Sequence, residues 1–161
     1  MANQGSVDGR KRLAYEESIR ALTLQSSVLD DLRARTGILL TAASLTATFV
    51  GSRALDDGFT TWTRIALGFF LATGGFCLGV LWPRGDWNFA FDAQKILDGY
   101  VKTSDGATLD EMYVRFAEIN QKNWKSNTEK IRWLFWSFRL AVLALVLQVP
   151  CWLAAIGNAH G

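Results

Sequence analysis

Three stretches of the chain are apolar enough and long enough to cross a membrane. The first two, at 36–52 and 65–83, contain 17 and 19 residues and no Asp, Glu, Lys or Arg. The third begins near Ile131 and includes Arg139, after which no further Asp, Glu, Lys or Arg occurs. A spanning helix needs about 20 mainly apolar residues. The pattern predicts an all-α membrane protein with spans at 36–53, 65–83 and 131–156; the alternative is a soluble bundle that buries the same three helices.

The charged residues that precede the first span are predicted to form a helix. Within residues 1–35, apolar side chains such as Leu22, Leu29 and Leu32 form a partial stripe at helical spacing. From Arg10 onward, neither proline nor glycine interrupts this segment. We therefore expect an N-terminal cytosolic helix that runs directly into the first span.

The charged region at 84–130, between the second and third spans, is predicted to be helical too. Its first part, 87–101, places apolar side chains near one face, which is typical of an amphipathic helix. Thr108 and Glu111 then have the spacing of a capping box, in which each side chain bonds the backbone N–H of the other. Neither proline nor glycine follows until well inside the third span. One helix is therefore expected from about Leu109 through that span.

Basic residues are distributed unevenly between the two sides of the predicted spans. Six Lys and Arg residues lie in 1–35 and seven in 84–130, whereas the loop at 53–64 carries two. Cytoplasmic flanks of membrane proteins are enriched in Lys and Arg. The pattern predicts a multi-pass protein with a cytoplasmic N-terminus and an external C-terminal tail at 157–161.

Small and hydroxylated residues recur at helical spacing in the first two spans. In the first span, steps of four and three residues join Gly37, Thr41, Ser44, Thr48 and Gly51. In the second span, similar steps join Gly68, Ala72, Gly75 and Gly79. Such rows let helix backbones approach closely in lipid, which predicts packing between spans one and two. Alternatively, the hydroxyls of the first row face water in an oligomeric pore, where they replace part of the hydration of an ion.

Arg139 is the charged residue that lies furthest inside a predicted span. A charge there is costly, and it usually faces an interior, a cavity or the membrane interface. Arg132 lies seven residues earlier on the same helix face. One interpretation is that the long side chain of Arg139 reaches back to the headgroups. The other is that Arg132 and Arg139 form a gate or a lipid contact.

The composition and the motifs of the chain exclude several classes of function. Two cysteines and one histidine, His160, exclude a disulfide framework and a four-ligand zinc site. No phosphate-binding, dinucleotide-binding or zinc-protease motif is present. We expect no catalytic residue, no metal site, no cofactor and no enzymatic activity. A net charge of +2 is too balanced for a nucleic-acid partner recognised by charge alone.

Two segments carry a resemblance to a known group of membrane proteins. The stretch 29–40 leads from an acidic and basic helix end into Gly-Ile-Leu-Leu, and 129–134 is a basic helix that passes into the last span. The chain resembles the Pycsar-effector transmembrane family and the related SLATT group over much of 20–147. Those families are bacterial membrane effectors of nucleotide-signalling antiviral systems. This chain departs from them in having no separate cyclic-nucleotide-binding or TIR-like domain.

The resemblance implies an oligomeric protein of the bacterial inner membrane that forms a pore or disrupts the membrane when activated. Without a sensor domain of its own, the chain would receive its signal through the cytosolic helices or from a cytosolic sensor protein. A non-catalytic scaffold that binds a cytosolic partner through 84–130 is the second hypothesis. The third is a membrane protein that binds lipid or a small solute through Arg132 and Arg139.

Overall fold

The structure, a computed structural model, describes residues 4–56, 58–83, 85, 87, 89 and 108–158. Within these residues every regular element is an α-helix, and the predicted all-α class is confirmed. The helices are α1 (Gln4–Asp56), α2 (Thr61–Leu81) and α3 (Leu109–Asn158). Apart from Trp87 and Phe89, which lie outside the helices, the predicted amphipathic helix at 87–101 falls outside the described residues, as does most of the tail at 157–161.

All three helices contain a stretch that is long and apolar enough to cross a membrane. These stretches lie in Gly9–Leu55, Thr61–Leu81 and Leu109–Gly157, with mean hydropathies of 1.4, 1.8 and 2.2. Length and composition are therefore compatible with a multi-pass membrane protein, in agreement with the three spans that the charge pattern predicts.

The turn between α1 and α2 is shorter than the predicted loop at 53–64. Gly58 has a φ of 92°, in the left-handed region that L side chains rarely adopt. Its backbone N–H donates to the carbonyl of Leu55 at 3.0 Å, which closes the end of α1. The hydroxyl oxygen of Thr60 then accepts a hydrogen bond from the N–H of Thr63 and caps the start of α2.

The predicted start of α3 is confirmed. The N–H of Glu111 donates to the hydroxyl oxygen of Thr108 at 3.4 Å, and the N–H of Thr108 donates to the Glu111 carboxylate at 3.0 Å. This capping box opens one helix that continues through the third apolar stretch. Pro150 lies inside that helix, where it lacks the N–H that the carbonyl of Val146 would accept.

The chain divides into two compact units. The first is Met1–Leu29 with Arg84–Ile131, and the second is Asp30–Pro83 with Arg132–Gly161. In the first unit, α1 and α3 run parallel, because their contacts advance together along both helices. Three hydrogen-bonded pairs show this order, namely Lys11 with Asp110, Ser18 with Asn120, and Gln25 with Thr128.

The buried residues of each unit follow a spacing of three and four residues, which keeps them on one face of each helix. In the first unit they are Leu22, Gln25 and Leu29 of α1 and Phe116, Asn120 and Asn127 of α3, among others. In the second unit α2 contributes Thr63, Ala66, Thr73, Cys77 and Val80. The α3 residues there include Leu134, Ser137, Ala141, Ala144 and Gln148. We call these buried positions the seam.

Candidate functional site

Three hydroxylated residues of the predicted row in α1 lie on the outer surface of the second unit. Thr41, Ser44 and Thr48 are exposed and form what we call the hydroxyl row. Each hydroxyl donates to the carbonyl four residues earlier in the same helix, at 2.8 to 3.0 Å. Their protons are therefore engaged, while their oxygen lone pairs remain directed outward. The row takes no part in the seam.

The two glycines that end this predicted row have different surroundings. Gly51 is buried, and a Cβ added to it would lie 3.2 Å from two ring carbons of Trp152 on α3. Gly37 has open space where its Cβ would be. Gly51 therefore packs against Trp152, which belongs to a buried cluster with Ala54, Ala66 and Ala155. Of the two glycines in the predicted row, Gly51 is the one that lies close to another described helix.

The small residues of α2 face away from the seam. Gly68, Gly75 and Gly79 are exposed with nothing within 4 Å of an added Cβ, and Ala72 is half-buried. Inside the chain, α2 packs through its opposite, buried face instead. The sequence predicts that these four residues pack against the first span of the same chain; among the described residues, the three glycines meet no other helix.

The seam of the second unit contains polar residues that the sequence pattern did not single out as sites. Thr36 and Thr73 donate to carbonyls of their own helices at 2.7 and 2.9 Å. Gln148 has 0% exposure, and neither polar atom of its amide has a hydrogen-bond partner among the described residues. One turn later, the indole N–H of Trp152 is buried and equally unpartnered there. Spacing of three and four residues places these residues on one face of each helix, but an exposed row of α1 has the same spacing, so this signal alone does not locate them.

The two arginines predicted as a gate or lipid contact lie on the outer surface of α3. Arg132 and Arg139 are both exposed, and within the described residues neither forms an ion pair. The guanidinium of Arg139 lies over the ring of Trp136, 5.4 Å from its centroid. Trp133 and Trp136 are themselves 70% and 57% exposed. Two cationic and two aromatic side chains thus share one end of the second unit's α3 segment.

Two grooves with a mainly apolar surface lie along the helix pair of the first unit, among the described residues. One, of about 510 Å³, is lined by Ala14, Val114 and Ala117 together with Arg10, Lys11, Glu118 and Gln121. The other, of about 330 Å³, is lined by Leu24, Val28, Trp124 and Ile131, among others. Exposed apolar side chains on helices rich in charge are typical of surfaces that bind another helix.

The described residues of the first unit form both long-range and local ion pairs. Lys11 and Asp110 form an ion pair that joins α1 to the start of α3, at 2.8 Å. Arg12 and Glu16 pair within α1 at 2.7 Å, and the hydrogen bond from Arg12 to that carboxylate raises the pKa of the guanidinium. Among the described residues, no group of three His, Cys, Asp or Glu side chains could hold a metal ion.

Comparison of the chain with protein-family models, with curated proteins and with solved structures finds no match. The resemblance to the Pycsar-effector transmembrane family and the SLATT group therefore stays a prediction that rests on the two sequence segments.

Proposed function

We propose that the chain assembles into an oligomer in the bacterial inner membrane and acts there as a pore-forming or membrane-disrupting effector, in antiviral defence. The observation that supports this best is the outward position of the hydroxyl row, Thr41, Ser44 and Thr48. These side chains add nothing to the seam of their own chain. Their oxygen atoms are suited to water or ions passing along a surface that several copies would share.

The proposed pore requires more than one copy because the seam of a single copy is filled by side chains. Thr36, Ala43 and Ala144 are among the buried residues that occupy it. A ring of copies, each presenting the hydroxyl row to a common axis, would enclose a polar path. The exposed glycines of α2 would then lie at the contacts between copies, where backbones approach closely.

The cytosolic part of each copy would receive the trigger. The grooves of the first unit offer apolar surface to a cytosolic signalling or sensor protein. No catalytic step is proposed, because the effect on the membrane follows from assembly and repacking alone.

Ion flux through liposomes that contain the purified full-length chain tests the proposal. We expect replacement of all three residues of the hydroxyl row by leucine to lower the flux about tenfold or more, since the lining would lose its oxygens. Thr46→Leu is the matched control: Thr46 bonds back to Ala42 at 2.9 Å in the same way, but points to another side of α1. We expect its flux to equal that of the unaltered chain.

Two outcomes would contradict the pore. Equal flux from the triple variant and the unaltered chain would mean that the row faces lipid. The second outcome is an intact oligomer that gives no flux even when a cyclic nucleotide, made by a cyclase encoded in a neighbouring gene, is added. That result would favour the scaffold hypothesis. The grooves beside Leu24 and Val114 are the observation that favours that second function.

A further inference from the structure

We propose that the outer face of α3 binds an anionic phospholipid, with its phosphate held by Arg132 and Arg139. This inference requires that the chain crosses a membrane, but it does not depend on the proposed pore. It starts from two exposed arginines that have no acidic partner within the described residues.

Arg132, Trp136 and Arg139 share one face of α3, because steps of four and three residues return to the same side of a helix. The two arginines are two turns apart, about 10 Å along the axis. Trp136 lies between them, and its ring contacts the guanidinium of Arg139. We call these three residues the arginine stripe.

The neighbouring helix indicates the depth of the stripe. Gly51 of α1 lies against Trp152 of α3, and Ala54 and Ala155 belong to one buried cluster with Trp152. Both contacts lie near the C-terminal ends of the apolar stretches of α1 and α3, which indicates that the two helices run parallel in the second unit. Counting back from the contact between Gly51 and Trp152 places Trp136 level with Arg35, the last charged residue before the first apolar stretch. Arg139 then lies about 4.5 Å deeper, in the first turn of the apolar layer.

At that depth an exposed guanidinium needs an anionic partner, and the phosphates of the headgroups are the nearest ones. A guanidinium presents its N–H donors at its edge, in a fork that matches two phosphate oxygens. The guanidinium of Arg139 lies over the ring of Trp136, 5.4 Å from its centroid, and this cation–π contact leaves N–H donors available to a phosphate. The exposed ring of Trp133 lies beside the stripe, where amphipathic rings sit at headgroup level.

The same face of α3 continues as an apolar strip. Beyond Arg139, steps of four and three lead to Leu143, Val146, Pro150 and Leu153, all of which are exposed. A polar end that binds phosphate, followed by an apolar strip along one helix, matches the two parts of a phospholipid. This continuity favours a lipid over free phosphate as the ligand, because free phosphate would use only the polar end.

The test is lipid retention by the full-length chain in detergent, measured by native mass spectrometry with added phosphatidylglycerol or phosphatidylcholine. We expect preferential retention of phosphatidylglycerol, and a loss of about tenfold or more in Arg132→Gln/Arg139→Gln. Arg132→Lys/Arg139→Lys should lose less, because it keeps the charges but not the planar fork. Arg53→Gln removes an exposed arginine outside the stripe and should leave retention unchanged.

Three results would overturn the inference. One is equal retention of phosphatidylglycerol by the glutamine variant and the unaltered chain, with both eluting at the same size. A second is an equal loss in Arg53→Gln, which would indicate a general effect of charge. The third is displacement of the lipid by millimolar inorganic phosphate, which would assign the stripe to free phosphate. None of these results depends on ion flux, so the failure of this inference and the failure of the pore are distinguishable.

Discussion

The side-chain amide of Gln148 lies in the interior of the second unit without a hydrogen-bond partner among the described residues. Burying an unpaired amide costs about 1–3 kcal/mol in free energy. A leucine fills a similar volume and carries no polar atom. An apolar residue is therefore favoured at this position, and Gln148 lowers the free energy of unfolding of the chain.

We accordingly expect Gln148→Leu to raise the free energy of unfolding in detergent by about 1 kcal/mol or more. Gln121→Leu, at an exposed position on α3, is the control and should change it by less than about 0.5 kcal/mol. Thermal or denaturant unfolding of both variants provides the measurement. A loss of stability in Gln148→Leu would contradict this expectation and would mean that the amide has a hydrogen-bond partner in the folded protein.

Among the described glycines, Gly51 is the one at which an added Cβ would lie close to another helix. A Cβ at this position would lie 3.2 Å from the Trp152 ring, whereas a Cβ at Gly68 would enter open space. Both glycines lie inside helices, so both alanine variants gain helix propensity. We expect Gly51→Ala to be less stable than Gly68→Ala by about 1–3 kcal/mol, because only the former crowds a large ring. Equal unfolding free energies would show that Trp152 moves aside without cost.

At the scale of elements, the parallel pairing of α1 with α3 is the main feature of the first unit. The Asn120 amide donates to the Ser18 hydroxyl at 2.8 Å, and the amide of Gln25 donates to the hydroxyl of Thr128 at 2.7 Å. Polar pairs in a seam of otherwise apolar residues fix the register, because a shifted pairing would leave them buried and unpaired. A slip of one helix past the other is therefore disfavoured.

A disulfide can report this pairing. We expect Ser18→Cys/Asn120→Cys to form an intramolecular crosslink on oxidation, in a background where the free Cys77 and Cys151 are replaced by alanine. Ser18→Cys/Lys122→Cys is the control, because Lys122 is exposed and points away from the seam. Faster crosslinking in the control, or crosslinks between chains alone, would contradict the parallel register.

At the scale of the whole molecule, the charge pattern located the helices well. Segments able to cross a membrane contain few charges, so long gaps between charged residues indicate the apolar parts of α1, α2 and α3. The capping box located the first residue of α3 because its two hydrogen bonds are local. The charge pattern and the capping box are both properties of a single segment, and neither depends on how the helices pack.

The faces of the helices were harder to predict. The first apolar stretch contains two rows at a spacing of three and four residues, one through Thr36 and Ala43 and one through Thr41 and Ser44. The row through Thr36 and Ala43 is buried, and the row through Thr41 and Ser44 is exposed. Both rows are small and partly hydroxylated, so the choice depends on how side chains from α2 and α3 fill the seam. That is a property of three helices together, and it is not encoded in the periodicity of one.

The pairing of α1 with α3 also sets the order of events during synthesis. The hydrogen-bonded pairs that join them are 99 to 103 residues apart in the chain. At about 5–20 residues per second, the partner of Gln25 emerges about 5–20 s after Gln25 itself. Throughout that interval the buried face of α1 has no α3 to cover it. The nascent chain therefore presents this face to the ribosome exit, to chaperones or to neighbouring copies, and the completed fold forms only once the last helix arrives.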